Sequence, residues 1–494
     1  MSQPQPIVIH GSDSEPEHDT IARLPTTSEV VHGTIVEPES IPPPSSLAMR
    51  KDFIWATAAD LLHQNSRHMP QQPMNIVHQL PMVLRLAPIS TSFAKAGGAI
   101  NKIIQSPGCI AVSSAASGGQ PDNLGAAEQP IVDPYNHEGT LQIWQENKGQ
   151  SSTILHGHCL FEDQSPTCHK CYTVNSISFD PNQSQIMASA GNDCSVQLWL
   201  DDKKLVNGYY KYPKAPYDVV YQEKDSLLAV TCANGSVYVH STQSGLPFGD
   251  PIDLHVTPLD VQQSVGSVVW GHGASADLLF ASSEAQRADD YHGFHVAFDP
   301  DQRRCAYDFS VRESGDAMAL DPDGERLAIC TVGPRQVYDV RRRNGQEPIQ
   351  HIRLDTFDSG SPEPGSHANE DQVTTASFSP DGILLAVARS DDELHLYDSR
   401  FMGRNKWGIV DAVWVNGWCG RGFGIITGGA DGCVRFWDPR RSAEDVQNGE
   451  VLARPNVDVG HFSVGDPHNG EKPLVVGDNG GRVYVYDYAA SSVF

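Results

Sequence analysis

The chain has 494 residues, and its 61 aspartates and glutamates outnumber its 35 lysines and arginines, which gives a formal net charge of −26 at pH 7. This balance argues against phosphate-backbone binding as the main activity, because such proteins present clusters of lysine and arginine. The ten scattered cysteines are typical of reduced thiols rather than of a disulfide framework. We find neither a signal-peptide pattern nor an apolar run of about 18 residues, so we expect neither secretion nor a membrane span.

The first segment, residues 1–47, is rich in proline, serine and acidic residues and poor in aromatic ones. Such a composition cannot bury enough apolar surface to offset the entropy of ordering the chain. We therefore predict a disordered acidic tail over residues 1–47.

The next segment, residues 48–70, is the best helix candidate in the chain. Its apolar side chains recur at helical spacing along one stripe, formed by Ile54, Ala58, Leu61 and Leu62. Pro70 ends the pattern, because proline interrupts a helix. An amphipathic helix must bury its stripe, and the sequence leaves two options open: the flank of the following domain or a partner protein.

From residue 75 to residue 490 the chain alternates short strands with tight turns, which predicts an all-β domain. Eight hairpin units recur, and the strand that closes the hairpin in each ends at Trp144, Trp199, His240, Phe298, Tyr338, Tyr397, Trp437 and Tyr486. The 342 positions from the first to the last of these residues, over seven intervals, give about 49 residues per unit, close to one four-stranded blade with inserts. The pattern predicts a seven- to eight-bladed β-propeller; eight units favour eight blades, and the weak Phe298 unit leaves seven open.

The turn before the recurring aromatic residue carries the clearest motif. Asp193 lies six residues before Trp199, and Asp431 lies six residues before Trp437. With this spacing, residues 75–490 resemble the WD-repeat propeller family. The resemblance implies that both aspartates are structural, binding the turn backbone and a histidine from a Gly-His pair ahead of the blade, which Gly157-His158 matches in the second unit.

Three units continue past the aromatic residue into an Asp-x-Arg motif. These are Tyr338-Asp339-Val340-Arg341, Tyr397-Asp398-Ser399-Arg400 and Trp437-Asp438-Pro439-Arg440. The motif resembles the box of substrate receptors of cullin-4 ubiquitin ligases, which often carry a helix before the propeller that docks into the adaptor, the large subunit of the damaged-DNA-binding protein. The resemblance implies the partner-binding residues Asp339, Arg341, Asp398, Arg400, Asp438 and Arg440, together with Ile54, Trp55, Leu61 and Leu62 of the helix.

A second interpretation of these arginines stays open, because arginine is frequent at this position in unrelated propellers, where it pairs with an aspartate of its own blade. The leading hypothesis is a non-enzymatic receptor of a cullin-4 ubiquitin ligase, and the alternative is a scaffold subunit of another assembly, in chromatin or RNA processing. Both predict protein partners and nuclear or cytoplasmic residence. Neither predicts contact with membranes or direct binding to nucleic acid.

Enzymatic and metal chemistry find little support in the sequence. We find no Gly-x-Ser-x-Gly elbow, no P-loop and no His-Glu-x-x-His motif, so we expect no catalysis and no cofactor. His158, Cys159, Cys168 and Cys171 have a spacing that suits zinc. They lie, however, where the WD-repeat resemblance places its Gly-His pair, so we predict no metal site, and zinc remains the open alternative for this cluster.

Overall fold

The computed structural model describes residues 84–90, 93–121, 133–154, 156, 158–161, 168–242, 250–258, 261–285, 292–331, 335–345, 347–352, 373–389, 393–398, 402–406, 409, 411–441, 449–455 and 457–489. The predicted tail over residues 1–47 and the predicted helix over residues 48–70 lie outside these ranges, so their boundaries stay predictions.

Four-stranded antiparallel sheets account for nearly all of the described elements, and eight such blades follow one another along the chain. We number the blades from the N-terminus and the strands of each blade from the innermost outward, which is also the chain order in blades 1 to 7. Blade 1 comprises Ile100–Ser106, Cys109–Ser114, Leu141–Gln145 and Gln150–Ile154, and blade 2 comprises Val174–Phe179, Ile186–Gly191, Ser195–Leu200 and Lys203–Lys211. Blade 3 comprises Pro216–Tyr221, Leu227–Cys232, Ser236–Ser241 and Ile252–His255. Blade 4 comprises Gln263–Trp270, Leu279–Ala285, His295–Asp299 and Arg304–Asp308.

The second half of the propeller repeats this arrangement, with one change in the last blade. Blade 5 comprises Gly315–Leu320, Arg326–Thr331, Arg335–Asp339 and Gln350–Ile352. Blade 6 comprises Val373–Phe378, Leu384–Arg389, Glu393–Asp398 and Met402–Lys406. Blade 7 comprises Asp411–Val415, Gly424–Gly428, Val434–Trp437 and Glu450–Ala453. Blade 8 contains Val459–Val464, Leu474–Asp478 and Val483–Tyr488, and its outer strand is Leu86–Ile89 from the other end of the chain. This pairing closes the ring and protects the sheet edges that a linear array would expose.

The remaining described elements are small. Strands His158–Phe161 and Cys168–Cys171 form a two-stranded hairpin between blades 1 and 2. Short 3₁₀ helices span Gly273–Ser275, Val340–Arg342, Trp418–Gly420 and Pro467–Asn469. Within the described ranges no helix is both long and apolar enough to span a membrane.

The eight aromatic or histidine residues that mark the sequence repeat all lie in third strands, and all eight are buried. The prediction of eight units is thereby confirmed, although a fourth strand pairs with the outer side of each of these strands, so none of them is the outermost strand of its blade. The apolar core lies between adjacent blades: Ile177 and Trp199 of blade 2, for example, pack with Ile143 of blade 1. Cys194 and Cys433 lie in the turns that precede third strands.

The turns divide the propeller into two faces, which we call lower and upper. The lower face carries the connections from first to second and from third to fourth strands, and the upper face carries all others. At the tight turn Asp321–Gly324 of the lower face, Gly324 adopts φ +68°, and Asp321 Oδ1 accepts hydrogen bonds from the backbone of Glu325 and Arg326. The left-handed conformation at this position is the reason for glycine.

Candidate partner-binding site on the lower face

The WD-type turn of blade 2 is a buried hydrogen-bond network. Asp193 Oδ1 accepts from the backbone N–H of Ser195, and the carboxylate lies 3.3 Å from Nε2 of His156. The other ring nitrogen of His156 lies 2.6 Å from Ser189 Oγ, which also accepts a hydrogen bond from Trp199 Nε1 at 2.7 Å. Burial alone would raise the pKa of Asp193, but the nearby His156 and the bonds from Ser195 outweigh it and lower the pKa.

The histidine of this network differs from the predicted one. His156 fills the position assigned to His158, and the backbone of His158 instead pairs with Cys171 in the upper-face hairpin. The prediction of a structural role for Asp193 is confirmed, and the choice of His158 is wrong. The histidine of the network is the one that contacts Ser189 in the folded chain. That histidine is His156, which lies 33 residues before Ser189 in the sequence.

The corresponding turn of blade 7 replaces the histidine by an arginine. Asp431 Oδ2 lies 2.6 Å from Arg435 Nη2, and Oδ1 accepts from the backbone of Cys433. Trp437 Nε1 donates to Thr427 Oγ1 at 2.9 Å. Asp431 therefore supports its turn and next strand, as predicted, without a histidine partner among the described residues.

The Asp-x-Arg motif of blade 7 forms a compact ion pair on the lower face. Arg440 donates from Nε and Nη2 to the two oxygens of Asp438, at 2.8 and 2.7 Å, and its backbone N–H bonds the same carboxylate. The hydrogen bonds from the Arg440 side chain hold the pKa of Asp438 below its ordinary value. The Arg440 side chain is nevertheless 68% exposed, so the guanidinium is oriented by Asp438 and accessible to solvent.

The motif of blade 5 has the same bidentate pair and one more carboxylate. Arg341 donates from Nε and Nη2 to Asp339 at 2.9 and 3.0 Å, and its Nη1 lies 2.8 Å from Glu325 Oε2. The pKa of Asp339 is lowered, mainly by the hydrogen bonds from Arg341. Glu325 carries no motif of its own, so its part in this site was not predictable from spacing.

The third motif, in blade 6, is described in part. The strand Glu393–Asp398 places Asp398 at the end of a third strand, the position that Asp339 occupies in blade 5. The side chain of Asp398 and the whole of Arg400 lie outside the described residues, as do Ile54, Trp55, Leu61 and Leu62 of the predicted helix. Their assignment to a partner-binding site stays a prediction.

The chain enters the propeller on the same lower face, next to blade 7. Leu86 pairs with Tyr488 at the lower end of blade 8, and the backbone of Leu84 bonds the loop between the first two strands of blade 7. In that loop, a β-carbon added to Gly422 would lie 3.4 Å from Nη2 of Arg440. Leu84 and Arg440 therefore both lie next to the loop between the first two strands of blade 7.

The structure describes only part of the suspected zinc cluster. The hairpin pairs His158 with Cys171 and Phe161 with Cys168, and Cys171 is buried, but the side chains of His158, Cys159 and Cys168 are outside the described set. Across the side chains that are described, no three histidine, cysteine or acidic residues are grouped to hold a metal ion.

Comparison with known proteins identifies the repeats. A family model described as WD domain, G-beta repeat, matches residues 162–199 and 363–398. These segments end at Trp199 and Asp398, at the ends of the third strands of blades 2 and 6. The match thus covers the part of the blade that carries the recurring turn and aromatic residue.

Two curated proteins are distantly similar. Rik1-associated factor 1 of Schizosaccharomyces pombe is 24% identical over 302 residues, which cover 56% of this chain and 44% of that protein. Denticleless protein homolog A of Xenopus laevis is 23% identical over 317 residues, which cover 62% of this chain and 39% of that protein. The matched region thus spans less than half the length of either relative.

Two solved structures share the fold. The Dos1 propeller superposes with a TM-score of 0.62 at 19% identity, covering 81% of this chain and 95% of that chain. The computationally designed Ika8 protein gives a TM-score of 0.53 at 14% identity, covering 82% of this chain and 100% of that chain. Together with the matched repeats and the eight described blades, these likenesses identify the chain as a β-propeller that carries WD40 repeats.

Proposed function

We propose that this chain is a non-enzymatic substrate receptor of a cullin-4 ubiquitin ligase. The lower face of blades 5 to 7 and the predicted helix over residues 48–70 bind the adaptor of the ligase, and the upper face selects a substrate protein. In line with this role we propose that the protein acts in the nucleus, the cytoplasm or both. The location can be tested by imaging a fluorescent fusion in living cells.

The single observation that carries this proposal is that the chain enters the propeller beside the Asp-x-Arg motif of blade 7. Residues 71–83 connect the predicted helix to Leu84, and 13 residues reach at most about 45 Å at roughly 3.5 Å each. We infer that a helix over residues 48–70 can reach Arg440, so that one partner surface contacts both.

The geometry of the ion pairs also suits a protein partner. Arginine has five N–H donors in a planar fork, and Arg440 uses its Nε and Nη2 groups for Asp438. The Nη1 group makes no hydrogen bond to the described part of the chain. Because Asp438 already orients the guanidinium, a partner carboxylate or carbonyl can bind it with little further loss of side-chain entropy.

The relatives support the same assignment. The name of one relative, Rik1-associated factor 1, records an association with another protein, as expected of an interaction module. The Asp-x-Arg motif adds the resemblance to cullin-4 receptors. Propellers of this kind present loops on a rigid ring, which suits binding rather than chemistry.

The proposal is tested by co-purification of the adaptor with the full chain. We expect a stable complex with the wild type, loss of the complex on deletion of residues 48–67, and weakened recovery for Arg440→Ala and Arg400→Ala. Arg482→Ala serves as a matched control, because Arg482 is an exposed arginine of the upper face. Failure of the wild type to retain the adaptor, or its recovery in a chromatin or RNA-processing assembly instead, would contradict the proposal.

A further inference from the structure

A buried ion pair joins two blades that are not neighbours in the ring. Nζ of Lys102, in the innermost strand of blade 1, lies 3.2 Å from Oδ1 of Asp218, in the innermost strand of blade 3. Lys102 is 1% exposed and Asp218 is fully buried. Between them, Oγ of Ser176 in blade 2 accepts a hydrogen bond from Lys102 at 3.0 Å and donates one to Asp218 at 2.6 Å. The pair therefore passes in front of the inner edge of blade 2.

The three residues occupy equivalent positions in their blades, since each is the first residue after a register shift in its innermost strand. In blade 8 the same position holds His461. Its Nδ1 accepts the backbone N–H of Ile103, in blade 1, at 3.3 Å, so this contact crosses the seam between blades 8 and 1. Four residues thus connect blades 3, 2, 1 and 8 along their inner edges. We call them the inner belt, which consists of Asp218, Ser176, Lys102 and His461.

The equivalent positions of blades 4 to 6 hold Ser267, Ala317 and Thr375. Alanine has no polar group in its side chain, and the hydroxyl groups of Ser267 and Thr375 are buried without a hydrogen-bond partner in the described part of the chain. In blade 7, the carboxylate of Asp411 lies 3.8 Å from Nε2 of His461, which is beyond hydrogen-bonding distance. The side chains at this position therefore join neighbouring blades beside the seam but not in blades 4 to 6.

The belt differs in kind from the other contacts at the seam. Blade 8 is completed by Leu86–Ile89, which comes from the other end of the chain and pairs over four residues. Apolar cores on both sides of blade 1 stabilise the ring, but apolar burial has no preferred direction. Hydrogen bonds and ion pairs are directional. Because the inner belt consists of such bonds, it restricts the distances between four inner strands and therefore the angles between their blades.

We propose that the inner belt is a latch that sets the angles between blades 3, 2, 1 and 8 and thereby holds the ring closed at the seam. Charged groups lose their hydration when they are buried, so such a latch contributes orientation more than stability. The inference is independent of the proposed function, because no partner protein takes part in it. The belt was not predictable from the sequence, since Lys102 and Asp218 are 116 residues apart.

The test is hydrogen–deuterium exchange of the full chain, read by mass spectrometry on peptides that cover Leu86–Ile89 and Ile100–Ser106 at the seam. The double variant Lys102→Met/Asp218→Leu removes both charges together, so that neither is left buried and unpaired. We expect exchange at the seam to become at least about tenfold faster, because local opening exposes these amides. A peptide covering Val373–Phe378 in blade 6 should change less than about twofold. Unchanged exchange at the seam, or equal acceleration in blade 6, would overturn the proposal.

Two matched serine substitutions separate the belt from the general packing of the ring. Ser176→Ala removes a hydroxyl that bonds two neighbouring blades, whereas Ser267→Ala removes the hydroxyl at the equivalent position of blade 4, which has no described partner. We expect exchange at the seam to be about threefold faster in Ser176→Ala and unchanged in Ser267→Ala. If the double variant fails to fold, this pair decides the outcome. Equal exchange at the seam in the two serine variants would refute the latch.

Discussion

In blade 5 the arginine of the Asp-x-Arg motif bonds two carboxylates, those of Asp339 and Glu325, whereas in blade 7 Arg440 bonds Asp438 alone among the described residues. Arg341 is 52% exposed and Arg440 is 68% exposed. In the same three-residue motif, all three guanidinium nitrogens of Arg341 thus contact a carboxylate of their blade, whereas Nη1 of Arg440 has no such contact among the described residues. Both arginines pair with the aspartate of their own blade, and the difference in their remaining donors is the basis on which we propose that Arg440 contributes more than Arg341 to partner binding.

The largest expected effects concern the aromatic residues that precede the two motifs. Tyr338 and Trp437 are both buried, so Tyr338→Ala and Trp437→Ala should each lower the free energy of unfolding by about 3–5 kcal/mol. Arg440→Ala should change it by less than about 1 kcal/mol, because exposed ion pairs contribute little. Urea unfolding monitored by tryptophan fluorescence and circular dichroism checks this difference. A large loss for Arg440→Ala would show that this arginine is structural.

The next largest effect concerns the affinity for the adaptor. Arg440→Ala should weaken binding about tenfold or more, the size expected when a charged contact at an interface is truncated. Arg341→Ala should weaken it by less, because Glu325 competes for that guanidinium. Isothermal titration calorimetry on both variants provides the comparison. Equal losses would remove the distinction between the two blades.

A smaller effect is expected from a substitution that makes the motif of blade 5 resemble the motif of blade 7. Glu325→Gln removes the second carboxylate beside Arg341 and leaves the pair with Asp339 intact, so Arg341 should become available in the way that Arg440 is. We expect adaptor affinity to rise by about twofold, since only a rim contact is gained. Glu146→Gln, a substitution at an exposed lower-face carboxylate of blade 1, is the control. No gain, or the same gain in the control, would count against the competition.

The smallest effect is the dependence of stability on pH. The pKa of Asp438 in the folded chain is lowered from its ordinary value of 3.8, chiefly by Arg440. The resulting stabilisation is fully present above that value and is lost as the pH falls through the lower folded pKa. The difference in Tm between the wild type and Asp438→Asn should therefore be constant from pH 6 to 8 and should shrink below about pH 4. A difference in Tm that grows as the pH falls would contradict the predicted direction of the pH dependence.

The blade pattern was predictable because it is local. Asp431 and Trp437 lie in one hairpin, and both the turn chemistry and the buried aromatic residue follow from residues within reach of one another along the chain. The eight recurring aromatic or histidine residues likewise mark eight third strands. The eighth blade needed more than the pattern, because its outer strand, Leu86–Ile89, comes from the opposite end of the chain.

The site was predictable only in part. The motifs located Asp438 and Arg440, but whether an arginine is satisfied or open depends on neighbours such as Glu325, which no spacing rule contains. The same limit explains why His158 was predicted and His156 was found, because the contact with Ser189 depends on the folded structure.

The most direct test of the central claim asks which face meets the adaptor. The photo-crosslinking amino acid p-benzoylphenylalanine is placed at Pro439, within the motif of blade 7, and in a second variant at Tyr135, a 77% exposed residue of the upper face. Each full-length variant is mixed with the adaptor and irradiated. The account predicts a cross-link to the adaptor from position 439 and none from position 135. A cross-link from position 135 and none from position 439 would contradict it.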